Sequence, residues 1–138
     1  MICYAVVDTN VLVAALLSGK EDAATVQVVR KILFGDIVPV YSSVIVKEYR
    51  EVLNRPKFGF TGELVEYLLT ALETYGILVE PACFGFVLPD MKDLPFYEVV
   101  LEKQADGAYL VTGNIKHFPK EPFIVTPREL LEILSEKY

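Results

Sequence analysis

The chain is poor in the residues that build soft or imidazole-rich sites. Among its 138 residues stand one histidine, His117, and two cysteines, Cys3 and Cys83. A single imidazole rules out a site of several histidines. The cysteines stand at no metal-ligand spacing, which argues against zinc and leaves two reduced, partly buried thiols as the expected reading. Long hydrophobic runs are missing too. Glu, Lys, Asp and Arg interrupt every apolar stretch before the roughly 18 residues that cross a bilayer. The opening Met1-Ile2-Cys3-Tyr4 lacks the basic stretch of a secretory signal, so a cytoplasmic location is expected. Nor is there a surplus of positive charge. With 13 Lys and Arg against 19 Asp and Glu the net charge is −6, the wrong sign for a protein that grips nucleic acid through a broad basic face. That sign weighs less against a nuclease, whose clustered carboxylates add to the total and are neutralised when a cation binds. A local basic set, Arg50, Arg55 and Lys57, remains available to a phosphate backbone.

What is present is apolar and finely segmented. A hydrophobic content of 53% supplies a core for one compact domain over residues 1–138. Short β-rich runs at 2–7, 37–41, 77–79, 108–112 and 123–125 read as strands. Between them, apolar residues at spacings of three and four predict helices over 11–17, 23–34, 44–53 and 61–75, with Ser42 or Ser43 and Thr61 as caps. Residues 57–60 read as a loop and the Pro- and Gly-rich stretch 80–92 as irregular. Pro95 opens a further helix to about Gln104, and Thr126-Pro127-Arg128-Glu129 is a capping box opening the last one. Strands alternating with helices predict a three-layer α/β/α fold around a central, mainly parallel sheet of about five strands.

Acids and amides fall where those strands end. The run 2–7 stops at Asp8-Thr9-Asn10, Ser42-Ser43 leads to Glu48, Asp93 precedes an apolar segment, and 109–111 runs into Thr112-Gly113-Asn114. In parallel sheets, strand ends deliver side chains to the carboxyl edge, where open α/β folds bind ligands. Carboxylates gathered there call for a cation, and oxygen donors without His or Cys suit Mg²⁺ or Mn²⁺, ions that support phosphodiester cleavage.

The motifs themselves carry a resemblance. Val-Val-Asp-Thr-Asn-Val-Leu-Val-Ala-Ala-Leu at 6–16 resembles the opening motif of the PIN-domain nucleases, and Ser-Ser-Val-Ile-Val-Lys-Glu-Tyr-Arg-Glu-Val-Leu at 42–53 resembles their second. Asp-Leu-Pro-Phe-Tyr-Glu-Val-Val at 93–100, then Tyr-Leu-Val-Thr-Gly-Asn at 109–114 and His117-Phe118, look like the third and fourth. The match is best to the subgroup of toxin components of toxin–antitoxin pairs. It implies a PIN-like fold and a metal-dependent ribonuclease in which Asp8, Glu48, Asp93 and Asn114 hold Mg²⁺ or Mn²⁺ and water attacks RNA. It further implies a homodimer and an antitoxin protein that blocks the site. Two features depart from the subgroup: Asn114 stands where many relatives have Asp, and the stretch around Asp106-Gly107 looks longer.

Each site residue also has an ordinary reading. Asp8 and Asp93 are suited to helix starts, and Asp90 is near enough to replace Asp93 as third acid. Glu48 and Glu98 would be helix-surface residues in most proteins; the resemblance makes Glu98 an accessory ligand. Asn10 is expected to brace Asp8, and Thr112 to fix the Thr-Gly-Asn turn or orient a phosphate. His117 reads as a packed loop residue rather than a general base. Phe58 and Phe60 beside Arg55 and Lys57 read either as a partner interface or as a loop packed on its own domain. Two other α/β domains place Asp after a first strand, but the dehalogenase-type phosphatases need a second Asp where Asn10 stands, and receiver domains need a Lys where Thr126 stands. A domain that kept the fold and lost catalysis is the competing functional class.

Overall fold

Every residue from Cys3 to Val7 is apolar or aromatic, a pattern that a strand with one wet face does not carry. In the computed structural model, which describes residues 2–83 and 85–138, this run is the central strand β1 (Cys3–Val7). Cys3, Ala5 and Val7 are buried on one face and Val6 on the other. Five parallel strands lie in the order β3-β2-β1-β4-β5, where β2 is Ile37–Tyr41, β3 Ile77–Leu78, β4 Tyr109–Val111 and β5 Ile124–Val125. This is a three-layer α/β/α fold. Its strand order differs from the 2-1-3-4-5 order of receiver-type domains.

The helices are α1 (Thr9–Leu17), α2 (Ala24–Leu33), α3 (Ser43–Leu53), α4 (Gly62–Tyr75), α5 (Leu94–Glu102) and α6 (Pro127–Lys137). Connections β1→β2→β3 run one way along the sheet and carry α1 to α4, whereas β3→β4 runs back across it and carries α5. Right-handed crossovers therefore put α2 and α4 on the face opposite α5, while α3 lies at the edge and touches both α4 and α5. Accordingly α5 packs across β1, β2 and β4, while α2 meets β2, α1, α4 and α6. Phe96, Leu12, Ile32, Ile37, Ile45, Leu53, Leu69, Leu110 and Leu130 are wholly buried in the core between the layers.

The local signals were mostly right, with informative exceptions. Ser42, not Ser43, caps α3 by accepting from Ile45 N at 3.2 Å, because the Ser43 N–H and hydroxyl are bonded to Glu80. Thr61 caps α4, and the Thr126/Glu129 box is formed in both directions. Helix α1 starts at Thr9, two residues before the apolar periodicity begins, so Asn10 lies in its first turn. The expected loop at 57–60 begins as a 3-10 turn, Pro56–Phe58. The stretch around Asp106-Gly107 forms another, Gln104–Asp106, after α5 has ended at Glu102. Cys3 is buried as expected but Cys83 is exposed.

Candidate active site

The strand order reverses between β1 and β4, and the crevice at such a reversal is where open sheets bind ligands. Both strands continue one residue past their ends. Asp8 N donates to Val111 O and Thr112 N to Val125 O, each at 2.9 Å, which sets Asp8 and Thr112 side by side at the carboxyl edge. Thr112 Oγ1 donates to Asp8 Oδ2 at 2.8 Å and accepts from Asn114 N at 3.0 Å. Asn10 Nδ2 donates to the same Asp8 oxygen at 3.3 Å, and Asn10 Oδ1 accepts from Gly113 N at 3.4 Å. Asp8 is only 5% exposed. Burial lifts its carboxyl above the ordinary range; the Thr112 hydrogen bond opposes this, and the charge of Asp93 adds to it. Asp8 sits at the N-cap of α1, where its side chain makes no aligned capping hydrogen bond, and the nearby Thr9 and Asn10 amides lower its carboxyl less than Thr112 does.

Glu48 reaches the same place from α3. Ile45, Tyr49 and Leu53, spaced by four, lie on the core, and Tyr49 OH donates to Val7 O, pinning the helix against β1. Half-buried Glu48 then faces the start of α1, where Thr9 Oγ1 donates to its Oε2. Its carboxyl is raised by burial, lowered by Thr9, raised by Asp8 and lowered by Lys92 and Arg55.

The segment before α5 carries two acids with different duties. Asp90 caps a 3-10 turn by accepting from Lys92 N at 3.0 Å. Asp93, at the N-cap of α5, makes no capping bond, and its Oδ2 is buried without an aligned hydrogen bond. The atom closest to pairing with it is His117 Nδ1 at 3.3 Å, an ion-pair distance whose geometry falls short of a hydrogen bond. His117 is thus no packed loop residue: its side chain is 47% exposed and turned toward Asp93. Burial raises the Asp93 carboxyl, Asp90 raises it further and His117 lowers it.

Asp8, Glu48, Asp90 and Asp93 line one open cleft of about 520 Å³, together with Thr9, Asn10, Glu51, Lys47, Arg55, Lys92 and Phe58. Asn114 lines a different hollow with Lys116 and His117, and its backbone ties it to the acid group through Thr112 and His117. Half-buried Glu98 on α5 is not among the residues lining the cleft. A larger hollow of about 630 Å³, beside Cys3, Asp36 and Tyr138, holds one carboxylate, and Lys31 lies 3.9 Å from it.

Compared with known families, residues 4–116 match the PIN domain, a span that includes all four motifs up to Asn114. The chain belongs to the PIN-domain family. No curated protein and no solved structure matches it. PIN domains are generally nucleases, hydrolases that act on nucleic acid, and typically use divalent cations.

The donors of this PIN domain suit such a cation. They are all oxygen, Asp93 Oδ2 is buried with no aligned partner, and each of the three carboxyls is held up by burial and by a neighbouring negative charge. The cage is not preformed: among the described residues no three His, Cys, Asp or Glu side chains are grouped tightly enough to hold an ion. Glu48 is instead engaged with Thr9.

Sequence reasoning passed over Thr9, Tyr49, Lys47 and Lys92. The first stands inside the Asp-Thr-Asn motif, and Lys47 shares a four-residue spacing with Glu51 on α3 and with Arg55 just past its end, so both carried a legible signal. Arg50 falls outside that arc and pairs with Glu66 at 3.1 Å, away from the cleft.

Proposed function

We propose that this PIN domain is a metal-dependent endoribonuclease in which Asp8, Glu48 and Asp93 hold Mg²⁺ or Mn²⁺, with Asn114 assisting after local adjustment. The observation that supports it most is the arrival of Asp8, Glu48 and Asp93, from three distant stretches of chain, in one cleft at the strand-order reversal. A bound divalent cation supplies Lewis-acid polarisation of the phosphodiester and lowers the pKa of water. The chain's own groups do the rest. Thr112 and Asn10 hold Asp8 through a single oxygen, Oδ2. Thr9 holds Glu48, and Lys47, Arg55 and Lys92 offer positive charge to phosphates along the cleft. A role as the toxin of a toxin–antitoxin pair, with a homodimer and an inhibiting antitoxin, follows the motif resemblance.

The test is cleavage of a labelled RNA with Mg²⁺ or Mn²⁺. Asp8→Asn is expected to abolish it while the circular dichroism spectrum stays that of the parent; metal-dependent cleavage that persists in this variant defeats the assignment. A second reading, a metal- or RNA-binding module without catalysis, draws on the open cage and on Asn114 lining another hollow. Metal uptake in calorimetry with no cleavage by the same sample favours that reading.

A further inference from the structure

Phe58 lines the cleft that holds the acids, yet the core does not explain its position. Phe60, which packs against the core, stacks on it with centroids 5.7 Å apart and planes at 15°. Gly59 between them adopts φ 71°, a left-handed conformation that closes the turn and brings the two rings parallel. The ring of Phe58 is therefore backed by Phe60 at the wall of the cleft. Lys57 Nζ lies 5.1 Å from its centroid on an exposed, flexible side chain that an incoming flat group can displace. Among the described residues Lys47, Arg55 and Lys92 form no salt bridge although five carboxylates line the same cleft, whereas Arg30, Lys31, Arg50 and Lys103 elsewhere are paired.

An aromatic face beside cations that form no salt bridge is the chemistry that holds an unpaired nucleotide: stacking for the base, charge for the phosphates. A duplex buries its base faces in its own stack and has none to offer. Resting on the nuclease reading, we propose that Phe58 is a positioning residue that stacks one unpaired base of the substrate. Arg55 and Lys92 meet the adjoining phosphates.

The chain has no tryptophan, which makes Phe58→Trp a clean reporter. Binding of a fluorescein-labelled oligoadenylate is measured in the presence of a chelator, so that nothing is cut, for the parent, Phe58→Trp and Phe58→Leu, each first checked for an unchanged melting curve. Phe58→Leu is expected to weaken binding about tenfold, in line with the worth of one stacked base. Phe58→Trp is expected to keep the affinity and to show fluorescence quenching by the oligoadenylate that an abasic strand of equal length does not cause. With cation present, Phe58→Leu is expected to raise KM and leave kcat near the parent's. Equal affinity of the parent and Phe58→Leu, equal quenching by the abasic strand, or no binding by the parent overturns the proposal; the first of these would assign the aromatic pair to a protein partner. Phe58-dependent binding without cleavage by the parent sinks the nuclease reading and leaves the base subsite standing.

Discussion

At the residue scale the chemistry of the cleft turns on how Asp8 is held. Thr112 is wholly buried and its one hydroxyl does two jobs, donating to Asp8 and accepting from the Asn114 amide. Thr112→Val keeps the shape and removes both bonds, at a cost of about 1–2 kcal/mol in denaturant unfolding. Because the Thr112 hydrogen bond is the largest of the influences that lower the Asp8 carboxyl, its loss lets burial push that carboxyl higher. Metal-dependent cleavage is then expected to fall at least about tenfold, and the acid limb of its pH profile to move to higher pH. An unmoved acid limb in a folded variant would show that the hydroxyl serves the turn alone.

At the element scale α4 closes tightly on β2 at Gly76. A Cβ on Gly76 would lie 2.5 Å from both Leu72 O and Pro39 O, and these are backbone atoms that cannot swing away. Gly76 has φ −104°, open to any residue, so its requirement is one of space rather than conformation. Pro39 fits the same place. It lacks an N–H, and β3 does not begin pairing with β2 until Ile77 meets Val40, so no ladder bond is lost there. Gly76→Ala is expected to destabilise by about 1–3 kcal/mol, as overpacking does. Gly62→Ala, with nothing within 4 Å of the added carbon, serves as the control and is expected to be neutral or slightly stabilising. Denaturant midpoints of the two variants check this.

At the scale of the whole molecule the three clustered carboxyls make stability depend on pH and on cations. Asp8, Glu48 and Asp93 all titrate above their ordinary values of 3.8, 4.5 and 3.8, so above those values the folded chain retains protons that the unfolded chain has released. Stability therefore falls as pH rises from about 4 through the raised folded values, and the full cost is present above them. The Tm of the metal-free protein is expected to fall as pH rises from about 4 through those raised values. Mg²⁺ or Mn²⁺ is expected to reverse that trend, adding about 2.7 kcal/mol at a hundred times its Kd, and Asp8→Asn to flatten it. Differential scanning calorimetry across pH, with and without cation, measures all three; a metal-free Tm that climbs steadily as pH rises from about 4 would contradict the crowding of charge.

Strand and helix order was legible because short continuous apolar runs at 2–7 and 37–41 and period-3.6 apolar spacing at 44–53 and 61–75 are written directly into the chain, and because caps such as Thr61 and Thr126 announce themselves locally. The acids were legible for a related reason: a carboxylate at the end of a wholly apolar strand has one edge of a parallel sheet to go to. What no local pattern contains is which oxygens meet. That Asp90 caps a turn while Asp93 is left with a bare oxygen, that His117 turns to Asp93, that Asn114 lines another hollow, and that Glu48 answers to Thr9 are matters of side-chain direction. Those directions are set only when α3, α5 and the strand ends pack together, since contacts across 39 to 104 residues of chain carry no trace in the sequence near either partner.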